Sequence, residues 1–225
     1  MSFGYQVLGF GSSAASRELV LDITSNTSEY NILTAATAAG YNASTDTTPI
    51  VVNVASGVTV SGSSSYAMRT GAINAASPLT INVTGSIDGY TGANGSAGRP
   101  GATGSAGGDA IYWESSTPYT GTGTVNIASG GKVRGGGGGG GGGGLGRVQY
   151  RIVPGKYGPV CDSGGTTTTG PTGATGSAGG FGASGSAGSP GGNANSCGTV
   201  TPAGSGGPGG AAGYAIRKNS RTVTV

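Results

Sequence analysis

Lys132-Val133-Arg134 runs into ten consecutive glycines, Gly135 to Gly144, closed by Leu145-Gly146. Outward from this run the glycines thin to about one in three. On the N-terminal side they stand at 89, 92, 95, 98, 101, 104 and 107. On the C-terminal side they stand at 170, 173, 176, 179, 182, 185, 188 and 191, then at 204, 207, 210 and 213. A period of three puts one residue type on one face of a polyproline-II helix, which has three residues per turn and a rise of about 3.1 Å. Three architectures share that period. A collagen triple helix takes Gly at every third place, and Gly170-Pro171-Thr172-Gly173-Ala174-Thr175-Gly176 fits it. Its blocks here are short, however, Pro is sparse, and a ten-glycine run gains nothing in that fold. A flexible linker is the usual fate of Gly/Ser-rich chain, yet a linker has no reason to keep strict period over 170–191. The favoured reading is a bundle of left-handed polyglycine-II rods. In such a bundle glycine lets backbones approach, and peptide groups bond sideways to neighbouring rods. A central rod, touched on all sides, would be nearly pure Gly, and 135–144 suits that place.

Composition supports an unusual fold. Of 225 residues 52 are Gly, 34% are hydrophobic, 6% aromatic and 8% charged. An ordinary soluble domain carries about 25% charged residues, and large apolar side chains are too scarce here for a conventional core. Disorder would fit such a composition, but the net charge is only +3. A typical globular enzyme is excluded, which leaves disorder or a fold packed through its backbone.

Reversals at Gly98-Arg99-Pro100-Gly101 and at Gly179-Gly180-Phe181 divide the glycine blocks into six rods: 89–97, 101–107, 135–144, 170–178, 182–191 and 204–213. Each spans roughly 20–30 Å at the polyproline-II rise. If 89–97 rises from a base, the Arg99-Pro100 turn and the loops 145–169 and 192–203 fall at the top, and Phe181 turns at the base. Cys161 and Cys197 both land at the top. A disulfide there would contribute on the order of 3–4 kcal/mol; two buried free thiols are the alternative.

The N-terminal part reads differently. Ser28 as N-cap, Glu29 in the first turn, Ile32 and Leu33 among alanines, and Gly40 as the stop predict a helix over 28–39. Strands are expected at Leu19–Ile23, Ile50–Val54, Val58–Val60 and Leu79–Val83. An internal repeat links this part to the glycines: residues 51–62 align with 124–135, identical at seven of twelve positions, and 80–89 is a shorter cousin. Each copy is a strand, a Gly turn and a short strand, a unit that stacks with others to bury Val and Ile. The expected organisation is mostly β and irregular. A small solenoid-like β domain with one helix (17–88) precedes a bundle of polyglycine-II helices (89–213), and a C-terminal strand (214–225) returns to the base. Residues 1–16 stand apart as a docking segment, because Phe3, Tyr5 and Phe10 crowd into it beside Leu8.

Catalytic and metal chemistry finds little support. There is no His, and the two cysteines are 36 residues apart, which removes His-based triads and CxxC zinc pairs. Gly9-Phe10-Gly11-Ser12-Ser13-Ala14 lacks the helix a dinucleotide turn needs, and Leu145 follows the glycine run where a phosphate loop has Lys-Ser/Thr. Sequons at Asn26, Asn42, Asn82 and Asn94 are the chance harvest of an Asn/Ser/Thr-rich chain. No signal peptide, membrane span, nucleic-acid footprint, metal site or cofactor is expected. What remains is recognition by surface side chains. The top carries Arg99, Val148, Tyr150, Arg151, Ile152, Lys156 and Tyr157, and Tyr and Arg are frequent interface anchors. The plainer reading is structural: Val148, Tyr150 and Ile152 alternate as a strand does. At the base, Tyr112, Trp113 and Tyr119 cluster, with Trp113 expected to cap rod ends.

Glycine blocks at 89–107, 135–146, 170–191 and 204–213, alternating with loops, resemble the tip adhesins of phage tail fibres, of the polyglycine-sandwich, T-even-like type. The likeness covers residues 80–215; the first 88 residues lack the Trp-rich opening of those adhesins. It implies a non-enzymatic virion protein at the tail or fibre tip, extracellular in use. Its distal loops would bind a host cell-surface receptor, an outer-membrane protein or a glycan. Arg99, Tyr150, Arg151, Lys156 and Tyr157 are then the candidate receptor contacts, and Cys161–Cys197 the disulfide. Phe3, Tyr5, Leu8 and Phe10 would dock on other tail or fibre proteins. Two further readings stand beside it: a structural cap or decoration protein of the virion, and an ice-binding protein with flat Thr/Ala/Ser faces such as Thr166–Thr169.

Overall fold

In Ile50-Val51-Val52-Asn53-Val54 every second side chain is fully buried: Ile50, Val52 and Val54, with Val51 and Asn53 only partly covered. That alternation is the signature of a strand with one face on a core. It recurs as a coil in the computed structural model, which describes residues 18–114, 123–150, 152–155, 158–161, 167–193, 197–219 and 222–225. The first turn is β1 (Leu19–Ile23), β2 (Thr27–Ser28) and β3 (Tyr30–Asn31), followed by helix α1 (Ile32–Ala38). The second is β4 (Ile50–Val54), β5 (Thr59–Ser61) and β6 (Tyr66–Arg69); the third is β7 (Leu79–Val83), β8 (Ser86–Asp88) and β9 (Asp109–Tyr112). The fourth begins with β10 (Gly123–Ile127) and β11 (Lys132–Arg134). Away from the coil lie β12 (Val148–Tyr150), β13 (Ile152–Gly155), β14 (Gly158–Cys161), β15 (Thr167–Thr169) and β16 (Cys197–Thr201). The chain then returns to the coil with β17 (Ile216–Arg217) and β18 (Val223–Thr224).

Equivalent strands stack in parallel. One face is β1-β4-β7-β10-β18, the second β2-β5-β8-β11, and the third β3-β6-β9-β17. Inside this three-faced solenoid, Ile50, Leu79, Val52, Ile81, Val125, Val60, Ile87, Met68 and Ile111 are fully buried. Each such side chain contributes about 1.5–3 kcal/mol relative to exposure. The internal repeats occupy equivalent places, and Gly57 and Gly130 make the same corner with φ of 77° and 91°, a conformation only glycine takes without strain. On the outside of the first face Asn53, Asn82 and Asn126 each donate to the residue one turn earlier, at 2.8, 2.9 and 2.9 Å, ending on Asp22.

The helix is shorter than its sequence signal. Its N-cap is Asn31, whose Oδ1 accepts from the Thr34 amide at 3.2 Å. Ser28 lies in β2 and Glu29 sits at a φ of 51°. Parallel pairing of Tyr30 with Met68 and of Asn31 with Arg69 claims the residues that a Ser28 cap would have made helical. Trp113 is also placed otherwise than expected. It is 1% exposed within the solenoid core, where a side chain at Gly123 would strike its ring, and it does not cap a glycine segment. The large ring finds more apolar surface there than at a glycine terminus. Tyr119 and Arg221 lie outside the described residues.

The glycine-rich chain leaves the solenoid at one corner, between the second and third faces. In the first turn that corner is Glu29 alone and in the second it is 62–65; in the third it is 89–108, and in the fourth 135–215. Among the described residues, glycine-rich segments 89–98, 101–108, 170–180, 182–192 and 204–213 surround 135–146. The central segment bonds them in rotation. Its carbonyls at Gly137, Gly140 and Gly143 accept from Gly92, Gly95 and Gly98; those at Gly138, Gly141 and Gly144 accept from Gly179, Gly176 and Gly173. Those at Gly136, Gly139 and Gly142 accept from Gly213, Gly210 and Gly207. Its amides at Gly136, Gly139 and Gly142 donate to Gly108, Ser105 and Ala102, and those at Gly138, Gly141 and Gly144 to Ala183, Ser186 and Ser189. The Gly140 amide donates to the side chain of Asn94 at 2.7 Å. All of Gly135 to Gly144 are buried, and a Cβ at any of them would strike backbone. The glycines stand where a backbone is met: in 204–213 Gly206 and Gly209 face 182–192 and Gly207 and Gly210 face 101–108, while Gly101, Gly104, Gly107, Gly185 and Gly188 face the central run.

Candidate functional site

The outer glycine segments reverse at two levels. Arg99-Pro100, joined by a cis peptide bond, turns 89–98 into 101–108 at the end far from the solenoid. Phe181 turns 170–180 into 182–192 at the near end, where the Gly182 amide donates to the Gly135 carbonyl at 2.8 Å. Arg134 ties this near turn to the solenoid. Its guanidinium lies 4.0 Å from the Phe181 ring centroid and makes two 2.8 Å hydrogen bonds to Asp88. Those bonds hold the guanidinium above its ordinary pKa. Arg217 returns the last segment in the same way. It pairs with the buried carboxylate of Asp109, which also accepts from the Tyr214 amide at 2.8 Å, and the bond to Asp109 raises the arginine's pKa. Charge-assisted, fork-shaped pairs of this kind fix orientation as well as proximity.

At the far end, Leu145 donates to Gly98 and accepts from Gly204, both at 2.8 Å, so three segments end level with one another. The Arg147 amide donates to Gly192 and its carbonyl accepts from Gly170, both at 2.9 Å. There the chain changes habit. β12 pairs antiparallel with β15, Val148 opposite Thr169 and Tyr150 opposite Thr167. It pairs on its other edge with β16, Val148 opposite Thr201 and Tyr150 opposite Cys197. β13 and β14 pair with each other as a separate antiparallel hairpin, with Ile152 opposite Cys161. The Cys161–Cys197 disulfide, with Cα atoms 5.6 Å apart, joins that hairpin to β16. Loops separate in sequence are thus gathered on one platform at the end opposite the solenoid.

Of the candidate contacts, Arg99 is exposed at the far turn, and its guanidinium donates to the Gly146 carbonyl. Tyr150 closes β12. Ile152 opens β13 and is 46% exposed. Arg151, Lys156 and Tyr157 lie outside the described residues, as do Phe3, Tyr5, Leu8 and Phe10 and the Thr166 end of the Thr run. Tyr112, grouped by sequence with Trp113 and Tyr119, instead stacks on Tyr66, and with Arg69 and Glu114, which the sequence reading did not single out, these two meet at the third face of the solenoid. Their register partners come from different turns of the coil, so no local motif announces them.

The family model for phage tail fibre adhesin Gp38 matches residues 18–225. Among solved structures, the chain is similar to the gp37-gp38 adhesin tip complex of the long tail fiber of bacteriophage S16. The match has 21% identity and a TM-score of 0.51, and covers 92% of this chain and 78% of that one. At that identity the likeness is one of fold. No curated protein matches the chain.

Proposed function

Because the chain belongs to the Gp38 family of phage tail fibre adhesins, we propose that it sits at the tail or fibre tip. There it binds a host cell-surface receptor, an outer-membrane protein or glycan, through the far-end loops 145–169 and 192–203. The observation that carries this reading is the platform itself: three strands and a disulfide gather those loops at the end farthest from the solenoid. The glycine segments between serve as a stiff spacer of the polyglycine-II type. The support for that form is the lateral bonding of every third residue and the placing of the periodic glycines against neighbouring backbone. Arg99, Tyr150, Arg151, Lys156 and Tyr157 are the proposed receptor contacts, and none is asked to do chemistry.

The opposite end is the proposed docking side, with Phe3, Tyr5, Leu8 and Phe10 of residues 1–16 as its anchors on other tail or fibre proteins. The similar solved structure is itself a complex of two fibre proteins. No helix of the described residues is long and apolar enough to cross a membrane.

The test is cell binding by the purified protein across a bacterial host panel, beside a variant whose 145–169 loop is replaced by a short Gly/Ser linker. Loss of binding in a variant that retains its circular dichroism spectrum is the expected result. Binding that survives the replacement overturns the assignment of the tip. An assembly defect with unchanged cell binding would favour a structural cap instead.

A further inference from the structure

Between the third face of the solenoid and glycine segment 101–108 lies a groove of about 590 Å³. That is within the roughly 300–1,000 Å³ of small-molecule sites. Tyr66 and Tyr112 come from successive turns of the coil and stack with centroids 5.9 Å apart and planes 26° apart. Arg69 lies with its guanidinium 5.5 Å from the Tyr66 ring and 3.5 Å from the Glu114 carboxylate. Both members of that ion pair are partly open, at 38% and 23% side-chain exposure. The rim carries Ser64 and Ser65.

The chemistry of this lining narrows the ligand. Arg69 is matched by Glu114, and Arg217 at the groove's edge by Asp109, so the groove presents no uncompensated charge. A phosphate or sulfate would leave the two carboxylates facing an anion. A purely apolar ligand would desolvate an ion pair without replacing its water. A neutral pyranose meets every requirement. Its hydroxyls accept from guanidinium and donate to carboxylate, while its C–H faces lie on aromatic rings. We propose that this groove is a second binding site, distinct from the far-end loops, that takes a neutral pyranose unit of a surface glycan. It stands on the solenoid, the length of a glycine segment away from the platform, so the two sites fail independently.

The full chain is titrated with D-glucose, D-galactose, N-acetyl-D-glucosamine and N-acetyl-D-galactosamine, with NMR observation of the Tyr and Arg side chains. At least one sugar should shift the Tyr66, Arg69 and Tyr112 signals with a dissociation constant on the order of 1–10 mM, the weak end of the affinity scale. Glu114→Gln keeps the shape and should weaken binding about tenfold, the usual cost of losing a hydrogen bond to a charged group. Tyr112→Ala should abolish it, and replacing loop 145–169 should leave it unchanged. The proposal is overturned if none of the four sugars shifts these signals, or if Glu114→Gln and Tyr112→Ala bind as wild type does. It is equally overturned if binding disappears with the loop. Protection of the same signals by a fibre protein, without a sugar response, would make the groove a docking surface instead.

Discussion

Replacing Gly140 by Ala puts one methyl group at the centre of the glycine bundle, directed at the carbonyls of Gly176 and Ser177. Both obstacles are backbone, so no side chain can rotate aside. Relief requires segment 170–180 to move away, and three bonds hold it to the centre at 2.8 Å: Gly173 to Gly144, Gly176 to Gly141 and Gly179 to Gly138. Each is worth about 1 kcal/mol net, and a buried group left unpaired costs about 1–3 kcal/mol. The expected loss is therefore about 3–6 kcal/mol, or about 10–20 °C in Tm for a chain of this size. Two controls separate collision from conformation. At Gly180 a Cβ meets nothing within 4 Å, and Gly180→Ala should be neutral or stabilising by up to about 1 kcal/mol, through the unfolded chain. At Gly130 the space is equally open but φ is 91°, and Gly130→Ala should cost about 1–2 kcal/mol from the left-handed conformation alone. Thermal unfolding followed by calorimetry and circular dichroism measures all three. If Gly140→Ala loses less than about 1 kcal/mol, an ordinary surface-like value, the account of the central segment is refuted.

Three further outcomes are expected. Converting both Cys161 and Cys197 to Ser should lower the stability of the far-end platform by about 3–4 kcal/mol, while the solenoid keeps its protection in hydrogen exchange; uniform loss across the chain would contradict this. Asn82→Ala removes two bonds from the asparagine ladder and should cost about 1–2 kcal/mol in urea unfolding. Asn82→Asp should cost more, because its carboxylate would face the Asn53 oxygen that now accepts from Asn82. Burial raises the pKa of Tyr30 above its ordinary value, so the unfolded chain ionises first. Its share of stability is whole below the unfolded pKa near 10 and falls away as pH rises through the higher folded value. Tyr30→Phe should flatten that alkaline slope, and an unchanged slope would show that Tyr30 is not its source.

Much of this arrangement is legible before folding. A period of three with one glycine run announces segments packed side by side, because each contact with a neighbouring backbone leaves no room for a Cβ. The glycine period runs through both reversals, which follow instead from the Arg99-Pro100 pair and from the Gly179-Gly180 doublet before Phe181. The repeated Val-Asn-Val/Ile-Ala-Ser-Gly units at 52–57 and 125–130 announce stacked strands, because their alternating apolar side chains need partners. The helix start was misread because Ser28 is a sound cap in isolation; the competitor was β6, thirty-odd residues away, which claims Tyr30 and Asn31. Trp113 was misread because composition cannot say which apolar surface a lone Trp will meet. The Tyr66–Tyr112 groove is invisible in sequence because its side chains come together only through the rise of the coil.

Local rules therefore determined by themselves where the glycine segments lie, where β1, β4, β5 and β7 run, and that the two cysteines share one end. Each of those features is periodic or follows from counting reversals. Only the tertiary structure decided that the glycine segments are excursions from one corner of a continuing solenoid. β9 and β17 pair with strands that precede the glycines by tens of residues, and hydrogen bonding between such distant segments leaves no trace in local pattern. It also decided which glycines tolerate a side chain. Gly179 and Gly180 are adjacent glycines, yet a Cβ at Gly179 would strike the Ala183 backbone and one at Gly180 would meet nothing within 4 Å.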